Sequence, residues 1–128
     1  MGTSTAGLPS YALRIGAEWV ETAETDVIRL PYDGTPVAAV ARGSLELLDR
    51  AIAAARAAAP AVSALKNYER AALLDRIAAI VRRDSAEFAA LISQETGRPI
   101  QEARGEVDRG LSTLAASAAA ARDLHGEV

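Results

Sequence analysis

The sequence predicts strands first and helices after: a short N-terminal β-meander over residues 11–42, then three to four α-helices over residues 44–125. Three observations predict it. Apolar residues alternate in short runs up to residue 41, then recur at three- and four-residue steps from Leu48 onward. Asp33-Gly34 offers a tight turn between two such runs, because glycine takes positive φ without steric cost. Ser44, Asn67 and Ser85 stand where helices would begin, and Gly97 where one would stop.

The elements follow in order. Residues 1–10, "MGTSTAGLPS", are small and polar and are expected to form a flexible N-terminal arm. In "YALRIGAEWV", Gly16 and Ala17 interrupt a weak alternation, which reads as two short strand pieces around a turn. "TDVIRL" is a third strand candidate and "PVAAVAR" a fourth. Ser44 then caps the first helix through its hydroxyl, and Glu46 suits the positive helix end. Leu48, Ile52, Ala55 and Ala59 recur at helical spacing until Pro60 ends or bends the helix.

A second helix starts at the N-cap type Asn67, with Leu73, Leu74, Ile77, Ile80 and Val81 as its buried stripe. That stripe falters at Arg82-Arg83-Asp84. Ser85 caps a fresh start with Phe88, Leu91 and Ile92 inward, and Gly97 fits the left-handed position after its end. Pro99 suits the first turn of the last helix, where its missing N–H costs nothing. Ile100, Ala103, Val107, Leu111, Leu114, Ala118 and Ala121 form one seam along about 26 residues, or ~39 Å, which Gly126 should close.

Composition bounds the function. The chain has 128 residues, enough for one domain. Half the residues are apolar, 24% are charged and the net charge is −3, so neither disorder nor a nucleic-acid footprint is expected. Alanine supplies much of the apolar share and contributes little burial per residue, so the segment is expected to be of low stability alone. There is no cysteine and one histidine, His125. A disulfide framework, a thiolate or multi-histidine metal site and a cysteine nucleophile are all excluded within these residues. The N-terminus lacks the basic flank and apolar core of a signal peptide, and the apolar runs are too short for a membrane span. A cytoplasmic protein with no membrane partner is the expectation.

The densest charge lies in "SQETGRPIQEARGEVDRG", residues 93–110. No serine stands in a Gly-x-Ser-x-Gly elbow, and no Gly-x-Gly-x-x-Gly run opens a helix. Gly105 and Gly110 lie inside a helical pattern, costing about 1 kcal/mol each against alanine, and are read as admitting a close neighbour. Glu102, Glu106 and Arg109 share one side of the last helix, with Glu106–Arg109 and Arg104–Asp108 spaced to pair on a solvated face. His125 reads as a partner of the helix dipole and Trp19 as packing. These residues make no complete active site.

Longer stretches resemble a known family. "RIGAEWV" is similar to the strand-turn near the start of aldehyde dehydrogenases. "RLPYDGTPVAAVARGSLELLDRAIAAARAA" resembles that family's next strand, Pro-x-x-Gly turn, strand and first helix. "YERAALLDRIAAIVRRDSAEFAALISQETGRPIQEARGEV" follows its Glu-Arg, Leu-rich helix, Glu-x-Gly-Lys-Pro turn and Glu-Ala…Glu-Val helix, in order and spacing. The resemblance covers residues 11–128. Some positions depart from it: Val62 and Ala59 replace a usual aromatic pair, Arg98 replaces lysine, and Leu30 replaces an asparagine.

The resemblance implies an α/β enzyme of about 450–500 residues, larger than a single ordinary domain. Residues 11–128 would be the N-terminal part of its Rossmann-type NAD(P)-binding domain. No catalytic or cofactor-binding residue is assigned within them. The whole enzyme would oxidise an aldehyde to its acid through a cysteine thioester, with NAD or NADP as cofactor, as a homo-oligomer, dimer or tetramer. The 128 residues alone would be inactive. "EARGEVDRGLSTL" is most similar to the branch of lactaldehyde, phosphonoacetaldehyde and non-phosphorylating glyceraldehyde-3-phosphate dehydrogenases.

In that family the helix matching residues 99–124 lines the mouth of the substrate tunnel. The resemblance places Arg109 on its tunnel side, where a guanidinium would attract an anionic or polar aldehyde. It also makes Glu95 a candidate ligand of a structural monovalent cation, since a carboxylate near helix-end carbonyls suits a hard ion. A second reading stays open: a non-catalytic helical protein-interaction module, or a truncated relic. The two divide on whether a reading frame past Val128 runs into the family's later segments.

Overall fold

The computed structural model describes residues 7–124. The first six residues of the expected arm, together with His125 and Gly126, lie outside the described residues. The chain divides into two compact units, Met1–Ser63 and Ala64–Val128.

Among the described residues the first unit carries five short strands and one helix. β2 (Leu13–Ile15) and β3 (Glu18–Val20) form an antiparallel hairpin turned at Gly16, whose φ of 59° favours glycine. β4 (Thr25–Arg29) pairs antiparallel with β5 (Pro36–Ala41), and β1 (Ser10–Tyr11) pairs with β5 in parallel. The two hairpins are the connections a meander requires, but β2–β3 forms a sheet separate from β1-β5-β4. Pairing with β5 begins at Ser10, and the Pro9 carbonyl accepts the Ala39 N–H at 2.9 Å. The end of the expected arm is therefore held in the sheet.

The β4–β5 turn follows its sequence. Gly34 has φ 75°, its N–H donates to the Leu30 carbonyl at 2.9 Å, and Thr35 N–H donates to Asp33 Oδ1 at 2.9 Å. The Thr35 bonds hold the Asp33 carboxyl below the usual aspartate range. The Arg83 guanidinium, 2.7 Å away, does the same for Asp84 in the second unit. Folding therefore favours the ionised forms. The stability they contribute is present above the unfolded pKa and is lost as pH falls through the folded one. A carbon-detected titration should place both midpoints below 3.8; midpoints at or above it would contradict these bonds.

α1 (Leu45–Ser63) starts as expected, with Leu47 N–H donating to Ser44 Oγ at 3.3 Å. Pro60 does not end it: the helix runs to Ser63 without the one bond proline cannot donate. Leu47, Ala51 and Ala54 are its less exposed residues, and Ala54 lies close to Gly16 in the hairpin turn. Glu18 on β3 pairs with Arg50 at 3.2 Å. Leu48 and Ile52, which recur at helical spacing, are exposed, because the hairpin covers the neighbouring stripe.

The second unit is α2 (Asn67–Arg83), α3 (Ser85–Thr96) and α4 (Ile100–Arg122). The helices therefore number four among the described residues. Lys66, not Asn67, is the N-cap of α2; the Glu69 carboxylate accepts the Lys66 N–H at 2.8 Å, as a capping glutamate does. Asn67 serves differently, its side-chain amide donating to the Leu124 carbonyl beyond the far end of α4. Asp75 on α2 also pairs with Arg122 on α4. α4 packs along both α2 and α3.

Alanine makes these contacts. Ala71, Ala78, Ala89, Ala103, Ala118 and Ala121 are buried with Val107, while Val81, Ile92 and Leu111 pack at the margin. The α4 seam is thus largely the expected one, with Leu114 half-buried and Ile100 exposed. The α2 and α3 stripes are only partly so, with Leu74, Val81 and Ile92 half-buried. Leu73, Ile77, Ile80, Phe88 and Leu91 are exposed, because the buried Ala71, Ala78 and Ala89, one or two positions away, let the helix backbones approach and occupy the interface themselves.

α3 stops at Gly97, in the left-handed conformation at φ 70°, with its N–H donating to the Ser93 carbonyl at 2.9 Å. Pro99 stands at the N-cap of α4 rather than within its first turn, and its carbonyl accepts the Glu102 and Ala103 N–H groups. Any Cβ at Gly97 would meet the following carbonyl in this conformation. Gly97→Ala should lower stability by about 1–2 kcal/mol, read from urea midpoints at unchanged m-value; an unchanged midpoint would contradict the left-handed cap. No helix among the described residues is long and apolar enough to cross a membrane.

Candidate functional site

The charged face of α4 and the turn before it hold the residues singled out from the sequence. The turn is tied down by its own side chains. Ser93 Oγ donates to the Arg98 carbonyl at 2.7 Å, Thr96 Oγ donates to the Ile92 carbonyl at 2.6 Å, and Arg98 Nη1 pairs with Glu106 Oε2 at 2.9 Å. Glu106 is thus taken by Arg98 and not by the expected Arg109, a correction to the helical-spacing pair. Sequence spacing missed this because the Gly97-Arg98-Pro99 turn folds Arg98 back over the first turns of α4. The signal was the restart itself: a cation just before the helix is delivered to the face of its second turn. Arg104 and Asp108 do not pair either; with Ser85, Ala86 and Val107 they line a shallow groove of about 240 Å³.

Arg109 lies exposed on α4. Its carbonyl accepts Thr113 Oγ, and Ser112 Oγ donates to the Asp108 carbonyl, both at 3.0 Å. Among the described residues no carboxylate pairs with its guanidinium, so its charge is uncompensated at contact distance. A Cβ added at Gly105 or Gly110 would meet no atom within 4 Å. The close neighbour expected at these glycines is therefore not among the described residues. They leave the helix surface beside Arg109 low and open.

Glu95 is exposed in the last turn of α3. The helix stop leaves carbonyls there without their usual donors, since Arg98 N–H turns to Thr96 Oγ and Pro99 has no N–H. No group of three acidic or histidine side chains suited to a metal occurs among the described residues. No hydrogen bond or ion pair joins Glu95 to Arg109. Trp19, expected to pack, is 68% exposed, with the Arg14 guanidinium over its ring at 5.0 Å.

This face offers a cation, a carboxylate and open backbone, with no nucleophile beside a base. Strands followed by a helical layer, with no complete site, describe part of an α/β scaffold. Comparison with known proteins agrees. Residues 19–128 match the aldehyde dehydrogenase family, and the chain belongs to it. It is 34% identical over 129 residues to the 3-sulfolactaldehyde dehydrogenase of Priestia megaterium, covering 98% of this chain and 26% of that protein. Aldehyde dehydrogenase 21 of Physcomitrella patens, solved with the reaction product succinate, superposes with a TM-score of 0.90 at 31% identity, over 95% of this chain and 26% of that one. Lactaldehyde dehydrogenase of Escherichia coli superposes at 0.88 and 29% identity, over 94% and 26%. The chain spans about a quarter of the length of these relatives.

Proposed function

We propose that residues 11–128 are the N-terminal part of the NAD(P)-binding domain of an aldehyde dehydrogenase that oxidises a small anionic or hydroxylated aldehyde to its acid. The family match over residues 19–128 carries the reading. The carbonyl carbon is oxidised through a cysteine thioester whose thiol lies outside these 128 residues, since they contain no cysteine. NAD or NADP, when bound, supplies the hydride acceptor. No residue of this chain is assigned to the cofactor, and none of the glycines among the described residues forms a phosphate-cradling loop. The enzyme would be a cytoplasmic homo-oligomer.

Two residues have proposed roles. Arg109 attracts the anionic end of the substrate, an assignment supported by its uncompensated charge and open surroundings. Glu95 helps hold a structural monovalent cation, supported by oxygen donors of the right hardness at the α3 end. The alternative, a non-catalytic helical interaction module, draws on the exposed apolar residues of α1.

The test uses the whole subunit: this chain with the remaining three quarters supplied by its continuing reading frame, or by grafting onto the Priestia megaterium relative. Anionic and neutral aldehydes are assayed with NAD and with NADP. Acid and reduced nicotinamide are expected, with anionic aldehydes preferred. A panel in which no aldehyde is oxidised with either cofactor would overturn the enzyme reading and favour the module.

A further inference from the structure

Residues 98–109 hold three arginines and three acids, so geometry rather than composition decides which arginine stays unpaired. Glu106 stands between two candidates. Arg109 follows it by three residues on the same side of α4, with the acid first, the favoured order for a helical pair. Arg98 reaches it from the turn before the helix and takes it, Nη1 to Oε2 at 2.9 Å. The other two acids do not replace it. Asp108 is adjacent to Arg109 in sequence and so lies about 100° round the helix, and Glu102 lies about 10 Å back along the axis.

Arg98 has an advantage over Arg109 in this competition, because its backbone is held before its side chain pairs. Ser93 Oγ donates to its carbonyl at 2.7 Å. Gly97 before it is set in the left-handed cap, and Pro99 after it has its φ fixed by the ring, at −54°. A tethered arginine loses less conformational freedom on pairing than one that swings over an exposed helix face. Exposed pairs are weak, so a modest difference of this kind decides the partner.

We propose that Arg98 is a positioning residue for the anionic substrate: by occupying Glu106 it keeps that carboxylate off Arg109, whose charge stays free for the ligand. The proposal rests on the reading of Arg109 above and deepens it. Without Arg98, Glu106 turns to Arg109 and competes with the substrate's anion for the same guanidinium. Removing Glu106 as well cancels the loss, because no carboxylate then has to be held away. An arginine that merely braced the turn would behave differently. Its loss would harm all aldehydes alike, and removal of Glu106 would not repair it.

In the whole subunit, Arg98→Ala should raise KM for a sulfonated or carboxylated aldehyde by about three- to tenfold, the scale of one counter-charge beside the ligand in partly screened surroundings. The kcat, and the KM of a neutral aldehyde of similar size, should change by less than about twofold. Arg98→Ala/Glu106→Gln should return the anionic KM to within about twofold of the unaltered enzyme, as should Arg98→Lys, which keeps a cation at the turn. Equal losses for anionic and neutral aldehydes, or no rescue by Glu106→Gln, would overturn the proposal.

A second measurement, in the 128-residue chain, needs no substrate. Phenylglyoxal, which condenses with unpaired guanidinium groups, is followed peptide by peptide by mass spectrometry. Modification at Arg109 should slow by about two- to threefold in Arg98→Ala, the scale of a helical ion pair in water, and recover in Arg98→Ala/Glu106→Gln. An unchanged rate across the three chains would overturn the tie. The two readings fail separately. If Arg109→Ala loses anionic aldehydes and Arg98→Ala does not, the role of Arg98 is overturned and that of Arg109 stands. If Arg109→Ala spares anionic aldehydes, both residues leave substrate selection, whatever the labelling shows.

Discussion

Ala103→Leu is expected to destabilise the α2–α3–α4 unit by about 3 kcal/mol, among the largest effects of any single change in the chain. Ala103 is 0% exposed and sits in the cluster with Ala89 and Val107, where the larger Val81, Ile92 and Leu111 only reach the margin. A leucine there has no vacant volume to enter. It must push α4 away from its neighbours or take an eclipsed rotamer, and overpacking of this kind typically costs about 1–3 kcal/mol. The upper end applies because the contact is made by alanines, so backbone rather than flexible side chains must yield. Domains of this size hold only about 5–15 kcal/mol in total. Ala120→Leu, on an exposed position of the same helix, should change stability by less than about 0.5 kcal/mol. Urea midpoints followed by far-ultraviolet circular dichroism would decide it, and equal midpoints for the two variants would refute close packing at Ala103.

Arg109→Ala is the second. In the whole subunit, kcat/KM for a sulfonated or carboxylated aldehyde should fall by about 10- to 100-fold, chiefly through KM. That is the scale of losing a charge-assisted hydrogen bond worth about 1.5–3 kcal/mol. A neutral aldehyde of similar size should change by about twofold or less. Arg109→Lys should recover only part of the loss, because it keeps the charge but not the planar fork. Arg109 has no carboxylate partner among the described residues, so its removal leaves no buried charge and should not alter stability. Equal losses for anionic and neutral aldehydes would remove Arg109 from substrate selection.

Backbone punctuation in this chain is local, and it was legible. The Asp33-Gly34 turn, the Ser44 cap and the Gly97 stop each depend on one or two residues whose geometry no neighbour changes. The α4 seam was legible for a related reason: it meets α2 and α3 along much of its length, so nearly every seam position finds a partner. Leu73 and Phe88 were misplaced because apolar periodicity says that a face will be covered, not by what. Where two apolar stripes lie side by side on α1, the hairpin selects one, and the sequence pattern alone does not say which. The Arg98–Glu106 pair escaped notice because it crosses a turn, while spacing rules apply only within one helix. Arg109 carries no signal in periodicity that separates it from a solvated arginine. Only the family resemblance singles it out.

The central claim is that this chain forms part of an aldehyde-oxidising enzyme without holding its chemistry. Aldehyde-dependent reduction of NAD or NADP, measured side by side for the 128-residue chain and for the whole subunit, tests it most directly. The account predicts acid and reduced nicotinamide from the whole subunit and none from the chain, which has no cysteine to form the thioester. Turnover by the isolated chain, or a folded whole subunit that oxidises no aldehyde with either cofactor, would contradict it.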